Sequence, residues 1–276
     1  MTDLLGFGFV QRALVAVVLS SVLLGGLSHL VLARRLAFFS AALGQAVLTG
    51  VSLGVLLGEP LDAPWGSVFG FSLLVAVLLV WARRNSSLPT DTLVGVALAG
   101  TLGLGVCLLV VITQQFNVHQ LEAVMFGSVL TVGPADLALL GVLGLVVLFA
   151  VGWLENRLLL SSLDERIATA SKLADARDEY AFVVLLTVAI VISVKVMGAL
   201  MVEALLVIPA AASRNVARHV VGVVAGSVAV ALVAGVSGLL VSARFNAPSG
   251  AAIVLGLVGL FALSLSVRAL SARSPR

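Results

Sequence analysis

Long apolar runs, separated by short polar connections, make up most of this chain. A helix that crosses a bilayer needs about 20 apolar residues, and eight runs approach or exceed that length. Two further apolar pieces, 119–132 and 199–213, are shorter, so each is expected to be a tilted or short span or a re-entrant helix buried in protein. The pattern predicts an all-α, polytopic membrane helical bundle of about 8 transmembrane helices plus two short or re-entrant helices. The eight longer runs are 11–33, 37–57, 64–82, 91–113, 135–154, 180–197, 219–242 and 250–268.

One long polar segment, 155–180, interrupts this pattern. Its acids, bases and hydroxyl side chains cannot supply a bilayer-crossing helix, so it is expected to lie in water. A helix from Leu163 to Ala176 would place Ile167, Ala170 and Leu173 on one stripe, which could enter a groove of a soluble partner. The alternative is a solvated loop that lies on its own protein or on lipid headgroups.

The composition supports a membrane protein and excludes several other classes. The chain is 61% hydrophobic and 11% charged, with a mean hydropathy of +1.22, far from the values of soluble domains. The first apolar stretch has no cleavage pattern, so it is expected to be a retained helix rather than a signal peptide. A single cysteine, Cys107, rules out disulfides and cysteine metal clusters. No G-x-x-x-x-G-K-[ST] phosphate loop and no hydrolase pattern occurs, so the chain is not expected to hydrolyse ATP or to be an enzyme.

Charges at the connections predict the orientation of the helices. Cytoplasmic connections of membrane proteins are enriched in Lys and Arg, and that enrichment, rather than a nucleic-acid site, explains the net charge of +3. The C-terminus is therefore expected inside the cell and the N-terminus outside. Cytoplasmic positions are predicted for Arg34/Arg35, Arg83/Arg84, 155–180, Arg214/Arg218 and Arg268/Arg273/Arg276, and an external position for Glu59/Asp62.

Six blocks of sequence occur together and in one order. They are ARRLAFFSAALGQAVLTG (33–50), PTDTLVG (89–95), FGSVLTVGPADL (126–137), the loop 164–168, KVMGALMVEALLVIPAAASR (195–214) and NAPSGAAIVL (246–255). In these blocks the chain resembles the permease subunits of the zinc and manganese ABC importers, the family of the bacterial high-affinity zinc permease. The likeness extends over nearly the whole length, so 1–276 is expected to be a single transmembrane permease domain.

The resemblance implies a set of partners and a location. It implies a permease homodimer in the inner (plasma) membrane of a bacterium, surrounded by lipid, with cytoplasmic ABC ATPases that hold ATP and Mg. It also implies an extracytoplasmic metal-binding protein that delivers a divalent transition metal, zinc or manganese, or a metal chelate. No cofactor of this chain and no nucleic-acid partner are expected. In such importers a cytoplasmic loop docks on the ATPase, and the matching positions here, within 155–180, are Asp164, Glu165, Ile167 and Ala168.

The chain departs from the family at the usual metal contact. The second helix of these permeases commonly carries an Asp and, four residues later, a His, which share a helix face and can coordinate a divalent ion. This chain has Ala41 and Gln45 at those positions. Alanine cannot bind a metal ion and a neutral amide is a poor substitute for imidazole, so the family's metal ligands are not transferred to this chain.

Two carboxylates stand instead at unusual positions. Glu122 and Glu203 lie in the short apolar pieces, and an ionisable group at membrane depth normally faces a pathway, a bundle interior or a partner. We therefore expect a substrate pathway that uses Glu203 with Gln45, and with Glu122 and His119 nearer the outside. The alternatives are that Glu203 pairs with Lys195 or stays protonated, that Glu122 lies at the external interface, and that His119 is an interfacial or capped residue.

A proline and two histidines carry further expectations, and two other functions stay open. Pro209 is expected to break the helix that carries Glu203, because proline lacks an N–H and has a fixed φ. His29 and His219 are interpreted as interfacial or capped residues near helix ends. The alternative functions are a carrier or channel that is driven by an ion gradient without an ATPase, and a structural membrane scaffold.

Overall fold

The computed structural model describes residues 8–60, 64–113, 132–163, 176–245 and 248–273. These residues form nine α-helices and no strand, and each helix is long and apolar enough to cross a membrane. The helices are α1 Gly8–Ala33, α2 Ala37–Leu56, α3 Trp65–Asn85, α4 Thr90–Thr113, α5 Pro134–Leu163, α6 Ala176–Met197, α7 Ala199–Val216, α8 Val220–Phe245 and α9 Ser249–Arg273.

The predicted all-α membrane bundle is confirmed, and the helix count changes. The short piece 199–213 belongs to α7, an 18-residue helix long enough to span. It is therefore a ninth candidate span among the described residues rather than a re-entrant element. The other short piece, 119–132, lies outside the described residues except for Val132.

Pro209 does not break its helix, so the expected break is wrong. α7 continues through Pro209 to Val216. A proline inside a helix lacks an N–H and crowds the preceding turn, but the next N–H, that of Ala210, donates to Oγ of Ser28 on α1 at 3.0 Å. A hydrogen bond between two helices thus satisfies the backbone where α7 itself is weakened.

The break between α6 and α7 lies instead at Gly198. This residue has φ +85°, a conformation that glycine adopts without the steric cost that a side chain would bring. Its N–H donates to the carbonyl of Val194 at 2.7 Å, and its own carbonyl accepts from the N–H of Val202 at 3.3 Å. One residue therefore closes α6 and opens α7, so Lys195 and Glu203 lie on two different helices.

The centre of the described bundle consists of α1, α2, α6 and α7. α1 packs against α5, α6, α7 and α8, and α2 packs against α3, α4, α6 and α7. The most apolar windows of α1, α2 and α6 are 67% buried, whereas that of α4 is 17% buried and those of α8 and α9 are 22% buried. Large apolar side chains such as Phe149 and Trp153 are exposed on the outer helices, as a surface that faces lipid requires.

The helix ends gather in two sets, which we call the basic end and the opposite end. At the basic end, Arg83 and Arg84 of α3 each lie 3.3 Å from Glu179 of α6, and Arg268 of α9 donates to Asn215 of α7 at 3.2 Å. The opposite end carries Asp136 and Lys195 at the start of α5 and the end of α6. The concentration of arginine predicts that the basic end is cytoplasmic.

Helices extend into both sides of the polar segment 155–180. α5 continues to Leu163 and α6 begins at Ala176, so both helices include part of the polar segment. The residues between them, 164–175, lie outside the described residues. The coupling loop within 155–180 therefore stays a prediction.

Candidate functional site

A carboxylate from α7 lies against α2 in the centre of the bundle. Oε1 of Glu203 is 2.9 Å from the point that a Cβ on Gly44 would occupy, and Cβ of Ala199 is 3.5 Å from the same point. Glu203 is half-buried. Glycine at position 44 therefore leaves the space in which the carboxylate of Glu203 rests.

The face of α2 that receives this carboxylate is the one that carries Ala41 and Gln45. Ala41, Gly44 and Gln45 stand at positions i, i+3 and i+4 of α2, and residues at that spacing share one helix face. Glu203 therefore lies on the face that carries Ala41 and Gln45, the positions at which the family commonly has an Asp and a His. The structure places the carboxylate of Glu203 beside Gly44, the residue that precedes Gln45 on α2.

Both polar groups at this place lack a partner among the described residues. Oε1 of Gln45 is buried without a hydrogen bond, and the structure gives Glu203 no hydrogen bond or ion pair with any described residue. Unpaired polar groups inside a protein are costly and uncommon. Carboxylate and amide oxygens are also ligands for divalent cations. This place can therefore accept a hydrated cation, although no cluster of three or more His, Cys, Asp or Glu occurs in the described part of the chain.

Lys195 does not pair with Glu203, so that alternative is wrong. Nζ of Lys195 lies 3.0 Å from Oδ1 of Asp136 on α5 and 4.1 Å from the ring centroid of Trp65 on α3. The pairing expected from the sequence assumed a continuous helix from 195 to 203, which the corner at Gly198 prevents. The acid that pairs with Lys195 is Asp136.

A second carboxylate at the opposite end fixes the start of α3. The side chain of Glu59 accepts from the N–H of Ser67 at 3.0 Å and from its hydroxyl at 2.7 Å. A carboxylate at a helix N-terminus satisfies free N–H groups and complements the helix dipole. Glu59 therefore has a structural partner, unlike Glu203.

Charges at the basic end form a compact network around α6. The guanidinium group of Arg34 lies 5.6 Å from the ring centroid of Phe182. Burial lowers the pKa of Arg34, and the nearby carboxylates of Glu179 and Asp178 offset part of that effect. The first turn of α6, which follows the predicted coupling residues, is therefore joined electrostatically to α3 and to the α1–α2 corner.

His29 is placed differently from the sequence interpretation. Its side chain is buried, and its Nε2 lies 3.1 Å from Oε1 of Glu155 on α5. The sequence placed it near a helix end but gave no sign of this contact, because the two residues lie 126 positions apart. Six predicted site residues lie outside the described residues: His119, Glu122, Asp164, Glu165, Ile167 and Ala168.

Comparison with protein families gives a match over almost the whole chain. The model of the ABC 3 transport family matches residues 6–268. The chain belongs to the ABC 3 transport family. It is a multi-pass membrane permease component and not the ATPase, which confirms the family resemblance noted in the sequence and the expectation that the chain is no enzyme.

Relatives of this ABC 3 family chain have metal-transport names. It is 28% identical to the high-affinity zinc uptake system membrane protein ZnuB of Haemophilus influenzae, over 95% of this chain and 98% of that protein. It is 28% identical to the manganese import system permease protein ScaB of Streptococcus gordonii, over 95% of this chain and 92% of that protein. Among solved structures, it matches PsaBC from Streptococcus pneumoniae in complex with Fab with a TM-score of 0.82, at 28% identity, over 95% of this chain and 93% of that one.

Proposed function

We propose that this ABC 3 family chain is the permease subunit of an ATP-driven importer for a divalent transition metal, with zinc or manganese as the cargo. The metal-transport names of its relatives support the substrate class. The observation that carries the proposal is the position of Glu203. Its carboxylate comes from α7 onto the face of α2 that carries Ala41 and Gln45, where the family pattern commonly has an Asp and a His.

The cargo passes between α2 and α7, where Glu203 and Gln45 offer oxygen ligands. The negative charge of Glu203 offsets part of the cost of bringing a divalent cation into the bundle. With two protein ligands, the cation keeps most of its water and binds weakly. A transport site needs this weakness, because a cation that enters must also leave. His119 and Glu122 provide further contacts nearer the outside of the membrane.

The path from the ATPase to Glu203 is short in the sequence. Asp164, Glu165, Ile167 and Ala168 contact the ATPase, and α6 begins soon after them and ends at the Gly198 corner. α7 starts there and carries Glu203 one turn later. A displacement of α6 by the ATPase therefore moves the carboxylate relative to α2 and changes its access to the two sides of the membrane. The working assembly is a permease homodimer with two ATPases and an external metal-binding protein.

Uptake by reconstituted vesicles tests the proposal. Proteoliposomes that contain this chain and its ATPase, supplied with the metal-loaded delivery protein, are expected to accumulate zinc or manganese only when ATP is present. Uptake without nucleotide or without the ATPase would contradict the proposal and indicate an autonomous carrier. If the vesicles took up a metal chelate but not the metal ion carried by the binding protein, the substrate class would be metal chelates instead of metal ions.

Co-purification tests the coupling residues separately. We expect the ATPase to remain on the tagged chain and to be lost after Ile167→Asp, because a carboxylate in the apolar stripe disfavours docking in a groove. The matched control is Asp91→Asn, a change at an exposed residue in the first turn of α4 at the same end of the bundle. Retention of the ATPase by both variants would remove Ile167 from the coupling contact.

A further inference from the structure

The contact between His29 and Glu155 contains a hydrogen-bonding conflict. Nδ1 of His29 lies 2.7 Å from the carbonyl oxygen of Gly26. A carbonyl oxygen can only accept, so Nδ1 must carry the hydrogen of that bond. In a neutral ring the other nitrogen, Nε2, is then an acceptor. Nε2 faces Oε1 of Glu155 at 3.1 Å, and an ionised carboxylate is also only an acceptor.

A cation between the two acceptors resolves this conflict. With one added proton, His29 becomes an imidazolium that donates from both ring nitrogens, to Gly26 and to Glu155. Such a charge-assisted bond is stronger than a neutral one. The proton is favoured over a metal ion, because no group of three or more His, Cys, Asp or Glu occurs among the described residues, and the ring is 6% exposed. We propose that His29 and Glu155 form a proton-binding site that joins α1 to α5.

The position of this site gives the bound proton a structural consequence. α1 lies in the centre of the bundle and packs against α5, α6, α7 and α8. α5 continues from Glu155 to Leu163 and ends directly before the predicted ATPase-coupling residues, which begin at 164. The bound proton therefore holds the helix that leads to the coupling segment against the central helix. Loss of the proton leaves two lone pairs face to face and releases that contact.

Other charged groups on the packed helices have their own contacts or lie apart from this pair. On α6, Glu179 pairs with Arg83 and Arg84 of α3, and Asp178 and Glu179 both act on Arg34, which follows α1. On α5, Arg157 lies 5.9 Å from the ring centroid of Trp153. The remaining charged or titratable groups at this end are Arg35 after α1, Arg177 and Tyr180 on α6, Arg214 on α7, and Arg218 and His219 before α8. The structure shows no ion pair between any of these groups and Glu155.

The sign of the pH effect follows from the proton count. The joined state holds one proton more than the separated state, so the contact contributes to stability at low pH and is lost as pH rises. Glu155→Gln removes this dependence without removing the contact. A glutamine amide can donate to the neutral Nε2 of His29, which makes the bond without an added proton.

Melting curves of the intact transporter in lipid nanodiscs test the site. Between about pH 6 and about pH 9, a range in which a histidine side chain can change its charge, we expect the melting temperature of the wild type to fall by about 2–4 °C more than that of Glu155→Gln. Asp91→Asn, which changes an exposed acid at the same end, is expected to behave as the wild type. Parallel curves for the wild type and Glu155→Gln would overturn the proposal. The proposal would also be overturned if, at the higher pH, added zinc restored the melting temperature of the wild type but not that of Glu155→Gln. The pair would then bind a metal ion rather than a proton.

Nitrogen NMR of the histidine rings gives a second readout that is measured on the wild type, and a variant serves only to assign the signal of His29. The chain has three histidines, so ring-labelled protein gives few signals, and the signal lost in His29→Gln identifies His29. We expect two protonated ring nitrogens for His29 at about pH 6 and a hydrogen on Nδ1 alone at about pH 9. A neutral ring at the lower pH, or a hydrogen on Nε2 alone at the higher pH, would overturn the proposal.

Discussion

Two charged side chains on either side of Gly198 have opposite surroundings. Before the corner, Lys195 has an ion pair with Asp136 and lies over the ring of Trp65. After the corner, Glu203 is half-buried in a space beside Gly44 and has no hydrogen bond or ion pair among the described residues. One residue of irregular backbone therefore separates a satisfied charge from an unsatisfied one.

The difference supports a structural role for Lys195 and is the basis of the transport role proposed for Glu203. Lys195 connects α3, α5 and α6 at the opposite end, so its contacts hold helices together. Glu203 lies beside α2 without a hydrogen bond or ion pair among the described residues, and a half-buried carboxyl group without a partner is costly. A protein retains such a cost at a functional site, where the missing partner is the ligand. Substitution of Glu203 is therefore expected to impair transport without lowering stability. Substitution of Lys195 is expected to lower stability.

The largest effect is expected for Glu203→Gln. Loss of the negative charge should reduce ATP-dependent metal uptake about 10–100-fold, the range seen when a group that supports a metal site is removed. The melting temperature should stay the same or rise, because an unpaired charge is removed from the interior. Uptake by proteoliposomes and thermal melting of the same preparation check this. Normal uptake with intact assembly would end the proposed role of Glu203.

The next effect is expected for Lys195→Met. This change leaves Asp136 without its partner and should lower the free energy of unfolding by about 1–2 kcal/mol, between the values for exposed and buried pairs. Thermal melting measures it. The double variant Lys195→Asp with Asp136→Lys restores the pair in reverse and should recover part of the loss. A single variant that melts as the wild type would show that the pair does not stabilise the bundle.

A smaller loss of stability is expected for Ser28→Ala. The hydroxyl of Ser28 accepts the N–H of Ala210 beside Pro209, and a buried N–H that loses its acceptor costs about 1 kcal/mol. Chemical denaturation measures the change. Ser266→Ala is the matched control, because that hydroxyl is exposed and donates only within its own helix. Equal stability of the two variants would show that the bond between α1 and α7 is dispensable.

The smallest effect is expected for Gly44→Ala. The added methyl group would stand 2.9 Å from Oε1 of Glu203, so the flexible carboxylate must move away from the α2 face. Metal uptake should fall by about 2–5-fold, less than after loss of the charge, with little change in melting temperature. Gly95→Ala on α4 is the control, because its added Cβ would have no neighbour within 4 Å apart from the adjoining backbone of its own helix. The same uptake for both variants would contradict the position assigned to Glu203.

The sequence predicted the spanning helices and drew attention to Glu203, and its errors about helix contacts have a common cause. Apolar length is a local property, so hydropathy located the spanning helices, and Glu203 was conspicuous as a charge among apolar residues. The N–H of Ala210 beside Pro209 donates to Ser28, 182 positions away. The partners of Lys195 and His29 are also distant in the sequence. Contacts of this kind arise only when helices pack, so helical spacing alone led to the wrong partner for Lys195.

The position of bound metal inside the transporter tests the central claim most directly. Crystals of the intact permease and ATPase complex, soaked in zinc and measured at the zinc absorption edge, would show the ion through its anomalous scattering. The account predicts a peak between α2 and α7, about 2.0–2.2 Å from an oxygen of Glu203, with the amide oxygen of Gln45 facing it. A zinc peak elsewhere in the pathway, with both side chains beyond contact distance, would contradict the account.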